Sequence, residues 1–356
     1  MPLSALDSVI PAIEHTKQQI VKPFSIVQWT KLAFVGLMAG ELTSGGCNLR
    51  GLPQATRTGS GGGLGLPGVN PALVGALIAV LIISGSVLAI VFMYISSVFR
   101  FILFDSILRK RCEIGGSWRQ RQAPGFRLFL WTLGFSIVWL FSFAVFLGIP
   151  ALMAFAAGWF KDPRQHLAPL VLFGVIAFFV AVILAFAGAL VHVLTKDFIV
   201  PQMAIDGIGP LEAWRRLLAM ISAEKGGYAG YVGLKILLAI AAGIIFGIIG
   251  AIVAVIFIIP VVGAGVAAAV AAKAAGLTAN VYTITATVVL VLCAVFVLLY
   301  ILSLISVPAI VFFPAYSIYF FASRYPGLSA ILYPAEAPPL PPPVAPAWTP
   351  PPEPIG

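Results

Sequence analysis

The chain has 356 residues, of which 61% are apolar and only 9% are charged. A soluble domain carries roughly 25% charged residues, so this chain has too few charges to keep a folded surface in water. Together with the mean hydropathy of +1.07, this composition excludes a soluble enzyme, a disordered chain and a secreted disulfide scaffold. The net charge of +9 is then better explained by membrane topology than by nucleic-acid binding.

Five stretches are apolar over the roughly 20 residues that a transmembrane helix needs. They are residues 72–99, 128–155, 167–194, 230–259 and 281–307. A sixth stretch, 24–40, is short and contains Lys31, whose ammonium would have to reach the interface beside Trp29. The sequence therefore predicts an all-α polytopic transmembrane helical bundle of about six spans, the first of them short. The alternative for residues 24–40 is a re-entrant or surface segment.

Three further segments accompany this transmembrane domain, which is assigned to residues 24–333. Residues 1–23 predict an amphipathic helix that lies on the inner leaflet or packs on the bundle. The Gly-rich residues 41–71 predict a flexible linker on the external side. They do not predict a phosphate-binding loop, because they lack the Lys-Ser/Thr pair of such a loop. Residues 334–356 contain 11 prolines, which predicts a disordered, extended tail.

Basic residues gather on one side of the predicted bundle. If residues 24–40 span, 16 of the 21 lysines and arginines fall on the side that holds residues 100–127. The positive-inside rule then places that side and both termini in the cytoplasm of a multi-pass inner-membrane protein. If they do not span, the N-terminus lies outside.

Patterns for catalysis or metal binding are absent from the sequence. The cysteines form no CxxC pair, and His166 is predicted to lie on the opposite face of the membrane from His15 and His192. Ionisable residues inside a membrane often mark a substrate path, but His192 and Lys235 lie near span ends and are expected to reach the interface. We therefore expect neither an enzyme nor a cofactor or metal site.

The cytoplasmic face carries the candidate interaction residues. A polar sequence closes the third long span, and a turn at Asp206 leads to Pro210, which suits the first position of a helix. That helix is amphipathic, with Trp214 as an anchor in the headgroup layer and arginines that could bind anionic lipid at about 1 kcal/mol each. The alternative is that the helix only orients the bundle. The candidate residues are His192, Lys196, Asp197, Pro201, Asp206, Trp214, Arg215 and Arg216.

Two motifs in the sequence resemble a known group of membrane proteins. The motif Asp197-Phe-Ile-Val-Pro-Gln-Met203, followed by Glu212-Ala-Trp214, is similar to one in bacterial and archaeal proteins grouped with the membrane domain of glycerophosphoryl diester phosphodiesterases. The opening His15-Thr-Lys17 and Gln28-Trp29 resemble the start of an uncharacterised six-span branch of that group. The resemblance implies a polytopic helical domain and supports counting residues 24–40 as a span. It implies no catalysis, because the chemistry of those enzymes belongs to a separate soluble barrel.

These patterns predict a non-enzymatic scaffold or accessory membrane subunit. Its expected partners are membrane lipids and a protein that contacts the Pro-rich tail or the cytoplasmic face, and nucleic acid is not expected. The alternative function is a transporter or lipid-handling permease for an apolar or amphipathic solute, which would need no buried charge.

Overall fold

A computed structural model describes residues 4–21, 24–41, 71–160, 162, 164–274 and 281–333, and all regular elements in this part of the chain are helical. The expected Gly-rich linker, apart from its two ends, and the Pro-rich tail lie outside the described residues. The α-helices are α1 Val9–Val21, α2 Ile26–Ala39, α3 Pro71–Leu108, α4 Ile114–Phe143, α5 Ile149–Ala156, α6 Leu167–Leu194, α7 Val200–Asp206, α8 Pro210–Ala223, α9 Lys225–Ala274, α10 Val281–Ile305, α11 Val307–Ala322 and α12 Pro326–Leu332. Single π-helical turns, Ala144–Gly148 and Thr195–Ile199, join α4 to α5 and α6 to α7.

Five helical segments of the described chain are long and apolar enough to cross a membrane. They are Ile82–Leu108, Ile114–Ala156, Leu167–Asp206, Lys225–Ala271 and Thr285–Ile305. Each overlaps one of the five stretches predicted from the sequence. The prediction of an all-α, multi-span membrane bundle is therefore confirmed.

The sixth candidate span differs from the one that the sequence predicted. Residues 24–40 form α2, which has 14 residues and a length of about 21 Å, short of the roughly 30 Å hydrocarbon core. The Gln28 amide donates to the Lys110 carbonyl, and the Ser96 hydroxyl donates to the Ala39 carbonyl. Both ends of α2 thus lie beside the last part of α3 rather than along its whole length. The sixth candidate is instead the pair α11 and α12, which is bent by 117°.

Helix α11 is the most buried helix of the described chain, although its sequence does not predict a span. Its 16 residues are fewer than a span needs, and Pro308 and Pro314 interrupt the hydropathy pattern. In the structure it fills the centre of a core that we call the hub. The hub comprises α1, α2, the last turns of α3, the first turns of α4, residues 194–203, α8, the first turns of α9, α11 and α12.

The spans pack closely only at the hub. In the most apolar 18-residue window of each span, 39% of the residues are buried for α3, but only 6%, 0%, 6% and 6% for α4–α5, α6–α7, α9 and α10. Large apolar side chains therefore cover the outside of these helices, as expected for surfaces that lipid or other apolar helices solvate. The fold is a compact hub from which long apolar helices extend.

Candidate functional site

A buried carboxylate lies where α6 turns into α7. Asp197 is only 1% exposed and belongs to the π-helical turn Thr195–Ile199. Pro201 follows four residues later and has no backbone N–H to donate to the Asp197 carbonyl, so the regular helical ladder is interrupted here. The turn thereby directs the Asp197 side chain towards α9.

Asp197 is held by two residues of α9. Its Oδ2 accepts a 2.9 Å hydrogen bond from the Tyr231 hydroxyl and forms an ion pair with the Lys235 ammonium. All three side chains are buried. Because a buried charge is costly unless it is paired, Asp197 and Lys235 stabilise each other and fix α9 against the end of α6.

A second ion pair lies beside the first and joins α2 to the same turn. Glu41, the residue two positions after α2 ends, is 2% exposed and pairs with Lys196. Arg100 of α3 lies close by: it donates to the Ala39 carbonyl at 3.5 Å and to His192 Nε2 at 3.3 Å. Charged side chains from α3, α9, the π-helical turn and the residues after α2 thus meet in one place.

These side chains surround a small polar cavity of about 20 Å³. Its charged lining consists of Glu41, Arg100, Lys196 and Asp197, and Ser317 of α11 adds a hydroxyl. Asp197 Oδ1 is buried and accepts no hydrogen bond within the described chain. The cavity has room for about one water molecule, which would supply the missing donor.

The arrangement is suited to holding helices together. With Lys235, three cationic side chains face two carboxylates, so charges of opposite sign are balanced to within one unit. Among the described residues, no group of three His, Cys, Asp or Glu side chains lies close enough to hold a metal ion. We call Glu41, Arg100, Lys196, Asp197, Tyr231 and Lys235 the buried ionic network, and the exposed His192 contacts it through Arg100.

The structure divides the eight residues predicted from the sequence. Lys196, Asp197 and Pro201 meet at the polar cavity, and His192 joins them through Arg100. The other predicted residues do not reach this cavity.

Those other residues lie on or beside α8. Asp206 pairs with Arg216 at 2.7 Å, and Arg215 pairs with Glu212 at 2.7 Å on the surface. The Trp214 ring packs on Trp131 at 6.1 Å between centroids and contributes to the hub, and its role as an anchor in the headgroup layer stays a prediction. The single cytoplasmic interaction face predicted from the sequence is thus two separate groups of residues.

The sequence pattern indicated only two of the six residues of the buried ionic network, Lys196 and Asp197. It expected Lys235 to reach the interface, but this residue is only 7% exposed and is paired with Asp197. It assigned no role to Glu41, Arg100 or Tyr231. The available signal was that Asp197 follows one long apolar helix while Lys235 lies in the first turns of the next long one, so residues of opposite charge flank the same connection.

Two bidentate ion pairs brace the hub outside this network. Arg121 of α4 binds both oxygens of Asp105 at 2.7 and 2.8 Å and donates to the Ala204 carbonyl at 3.1 Å. Arg324, after α11, binds both oxygens of Glu224 at 2.8 and 2.7 Å. The hydrogen bonds from Arg324 lower the pKa of Glu224 below its ordinary value.

Helix α1 packs on the other helices of the hub through a buried histidine. His15 Nε2 lies 3.0 Å from the Ile107 carbonyl, and Nδ1 lies 3.1 Å from the Tyr319 hydroxyl. The carbonyl accepts only, so Nε2 carries the proton and Nδ1 accepts from the phenol in the neutral ring. Burial, and secondarily the positive charge of Lys110, lowers the pKa of His15.

An apolar groove lies on the opposite side of α1. Its volume is about 440 Å³, and its lining is almost entirely carbon. The groove is lined by Ile13, Thr16, Lys17, Ile20 and Val21 of α1, Trp29 of α2, Ala242 and Phe246 of α9, and Pro308, Ala309, Phe312 and Phe313 of α11.

Comparison with known proteins gives a family and no function. Residues 3–331 match the model of a family described as a family of unknown function, DUF7544. The chain belongs to the DUF7544 family. The match extends over the hub and all the candidate spans, so the buried ionic network and the groove both lie within the part of the chain that the DUF7544 model covers. No curated protein and no solved structure matches the chain.

Proposed function

We propose that this protein is a non-enzymatic scaffold or accessory subunit of the cell membrane, which packs against the transmembrane helices of a partner protein. The observation that carries the proposal is the contrast between the hub and the spans. The hub is closely packed and ion-paired, whereas the apolar windows of α4–α5, α6–α7, α9 and α10 have at most 6% of their residues buried.

The charges of the site support this function. In the buried ionic network Glu41 pairs with Lys196, and Asp197 pairs with Lys235. These carboxylates hold α2, α6 and α9 in place, as a support for protruding helices requires. A route for a polar or charged solute would need polar groups along the spans, and the network lies at their hub end.

Site-directed photocrosslinking in native membranes tests the proposal. A photoreactive residue replaces, one at a time, the exposed positions of two stripes on α6. The first stripe is Leu172, Ile176, Phe179 and Ile183, and the second is Val171, Val175, Phe178 and Val182. A partner helix covers one side of α6, so we expect protein crosslinks from one stripe only. Lipid adducts alone, from both stripes, would contradict the proposal.

The Pro-rich tail supplies a second contact in this proposal. Residues 334–356 carry 11 prolines, and extended proline-rich segments bind aromatic grooves. Deleting them should weaken capture of the partner found by photocrosslinking without changing the α6 crosslinks. Unchanged capture would remove the tail from the proposal.

A transporter or lipid-handling permease for an apolar or amphipathic solute is the second candidate function. The observation that favours it is the apolar groove beside α1, which could accept part of a lipid. Proteoliposomes should then show lipid scrambling or solute flux above protein-free vesicles. Equal rates with and without protein would leave the scaffold as the better proposal.

We also propose that the hub lies on the cytoplasmic side of the inner membrane, because the segment 100–127, which is rich in basic residues, lies at this end. Reporter fusions within that segment should be active only on the cytoplasmic side, and activity outside the cell would contradict the orientation. A relation to the phosphodiesterase membrane domain is likewise proposed, on the two sequence motifs alone.

A further inference from the structure

The groove beside α1 continues onto an apolar surface of the protein. On α1 itself, Ile10, Ile13 and Val21 are 67%, 52% and 52% exposed. Ile13 and Val21 also line the groove. An apolar cavity that continues onto exposed apolar side chains opens towards hydrocarbon, because contact with water is unfavourable for both surfaces. The groove is therefore accessible from the lipid side of α1.

The rim of the groove offers a positive charge. Thr16 and Lys17 line the groove through the carbon atoms of their side chains. The Thr16 hydroxyl already donates a 2.7 Å hydrogen bond to the Ala12 carbonyl. Lys17 is exposed and forms no ion pair with a described carboxylate. The groove thus combines an apolar lining with one exposed lysine beside it, which complements a molecule with an apolar chain and an anionic head.

The volume argues against a protein helix as the occupant. A helix about 11 Å across would fill 440 Å³ with less than one turn, roughly 5 Å of its length. A flexible hydrocarbon chain follows the groove without this restriction. Pockets of this size ordinarily enclose small molecules.

We propose that the groove binds an acyl chain of an anionic phospholipid, whose phosphate contacts Lys17. The occupant lies with its chain against Trp29, Ala242 and Phe312 and its headgroup beside α1. The site does not depend on either proposed function, because a scaffold would hold this lipid in place and a permease would exchange it.

Trp29 allows the occupant to be detected directly. It lines the groove and is fixed by a 3.1 Å hydrogen bond from its indole N–H to the Ile20 carbonyl. A phospholipid brominated on its acyl chain quenches tryptophan fluorescence by contact. The protein is reconstituted in phosphatidylcholine vesicles that contain brominated phosphatidylglycerol or brominated phosphatidylcholine. The Trp29→Phe variant identifies the part of the quenching that Trp29 contributes.

Two variants with matched controls decide the proposal. Ala242→Phe fills the groove, and Ala241→Phe places the same side chain on a neighbouring exposed position of α9 outside the lining. Lys17→Gln removes the rim charge, and Lys31→Gln removes an exposed charge of α2 that does not line the groove. Size-exclusion profiles verify that each variant is folded.

We expect brominated phosphatidylglycerol to reach half of its maximal quenching of Trp29 at a concentration about fivefold lower than brominated phosphatidylcholine. This is the ratio of affinities that one lysine near an anionic headgroup provides. Ala242→Phe should abolish Trp29 quenching, and Lys17→Gln should abolish only the preference between the lipids. Unchanged quenching in Ala242→Phe would overturn the acyl-chain site. Equal quenching by both lipids in the unaltered protein would overturn the anionic selectivity. If Ala242→Phe does not fold, the Lys17→Gln comparison still decides whether the headgroup contacts Lys17.

Discussion

The hydroxyl of Tyr231 and the ammonium of Lys235 bind the same carboxylate oxygen, Oδ2 of Asp197. Tyr231 and Lys235 are one helical turn apart on α9, whereas Asp197 lies on the π-helical turn after α6. The two contacts therefore fix both the position and the rotation of α9 relative to α6. The three side chains are buried, so removing either charged side chain would leave the other charge buried without a partner.

Asp197→Asn should reduce stability more than any surface charge change. It keeps the shape of the side chain but leaves the Lys235 ammonium buried and unpaired, which costs about 3–5 kcal/mol. Thermal unfolding in detergent, compared with Asp206→Asn on the surface, measures the difference. The double variant Asp197→Asn with Lys235→Met should recover part of the loss, because it removes the unpaired charge. Equal unfolding temperatures for Asp197→Asn and Asp206→Asn would contradict this role of the network.

Close contact between α3 and α4 depends on Gly125. A Cβ atom at this position would lie 2.6 Å from Cγ2 and 3.1 Å from Cα of Val98, and the backbone atom cannot move aside. Gly125→Ala should therefore destabilise the protein by about 1–3 kcal/mol. Gly134→Ala is the matched control on α4, because a Cβ there meets nothing within 4 Å. The control should be as stable as the unaltered protein or more so, and the same loss at both positions would point to a general effect of helical glycines.

The spans could be predicted from the sequence because hydropathy is a local property. A run of apolar residues needs no knowledge of its neighbours to be assigned to lipid, and all five long stretches were found this way. The amphipathic character of α8 was equally local, and it correctly placed Pro210 at the start of that helix.

The hub could not be predicted, because it is built from long-range contacts. Helix α11 is short and contains Pro314, so nothing in its own sequence indicates that it is the centre of the core. Glu41 and Lys196 are 155 residues apart, and the local sequence around either residue does not predict that they form an ion pair. Asp197 was selected because it interrupts an apolar sequence, but its partner Lys235 was interpreted as an interface residue.

The ion pair between Glu224 and Arg324 should make the hub sensitive to acid. Arg324 lowers the pKa of Glu224 below the ordinary value of 4.5, so the folded state binds this proton less readily than the unfolded state. The pair therefore contributes stability above pH 4.5, and this contribution is lost as the pH falls through the lowered pKa. Glu224→Gln should unfold at a lower temperature than the unaltered protein at neutral pH, and the gap should close in acid. A gap that is the same at both pH values would show that the charge of Glu224 is not what stabilises the junction of α8 and α9.

Acidification should also detach α1 from the other helices of the hub, because His15 becomes protonated. This should occur at a higher pH than the loss of the Glu224–Arg324 ion pair. Burial and Lys110 lower the pKa of His15, so the detached helix binds a proton more readily than the docked one. The docked state is fully favoured above the ordinary value of 6.5 and loses stability as the pH falls below it. Hydrogen exchange of the α1 amides, corrected for the intrinsic effect of pH, should accelerate over that range.

His15→Gln keeps an N–H for the Ile107 carbonyl but cannot titrate, so its exchange should not respond to pH. Lys110→Gln should weaken the response, because it removes the positive charge that disfavours a protonated His15. Tyr319 and Gln19 also face the ring but stay neutral in this range, so an unaltered response in His15→Gln would assign the effect to another group.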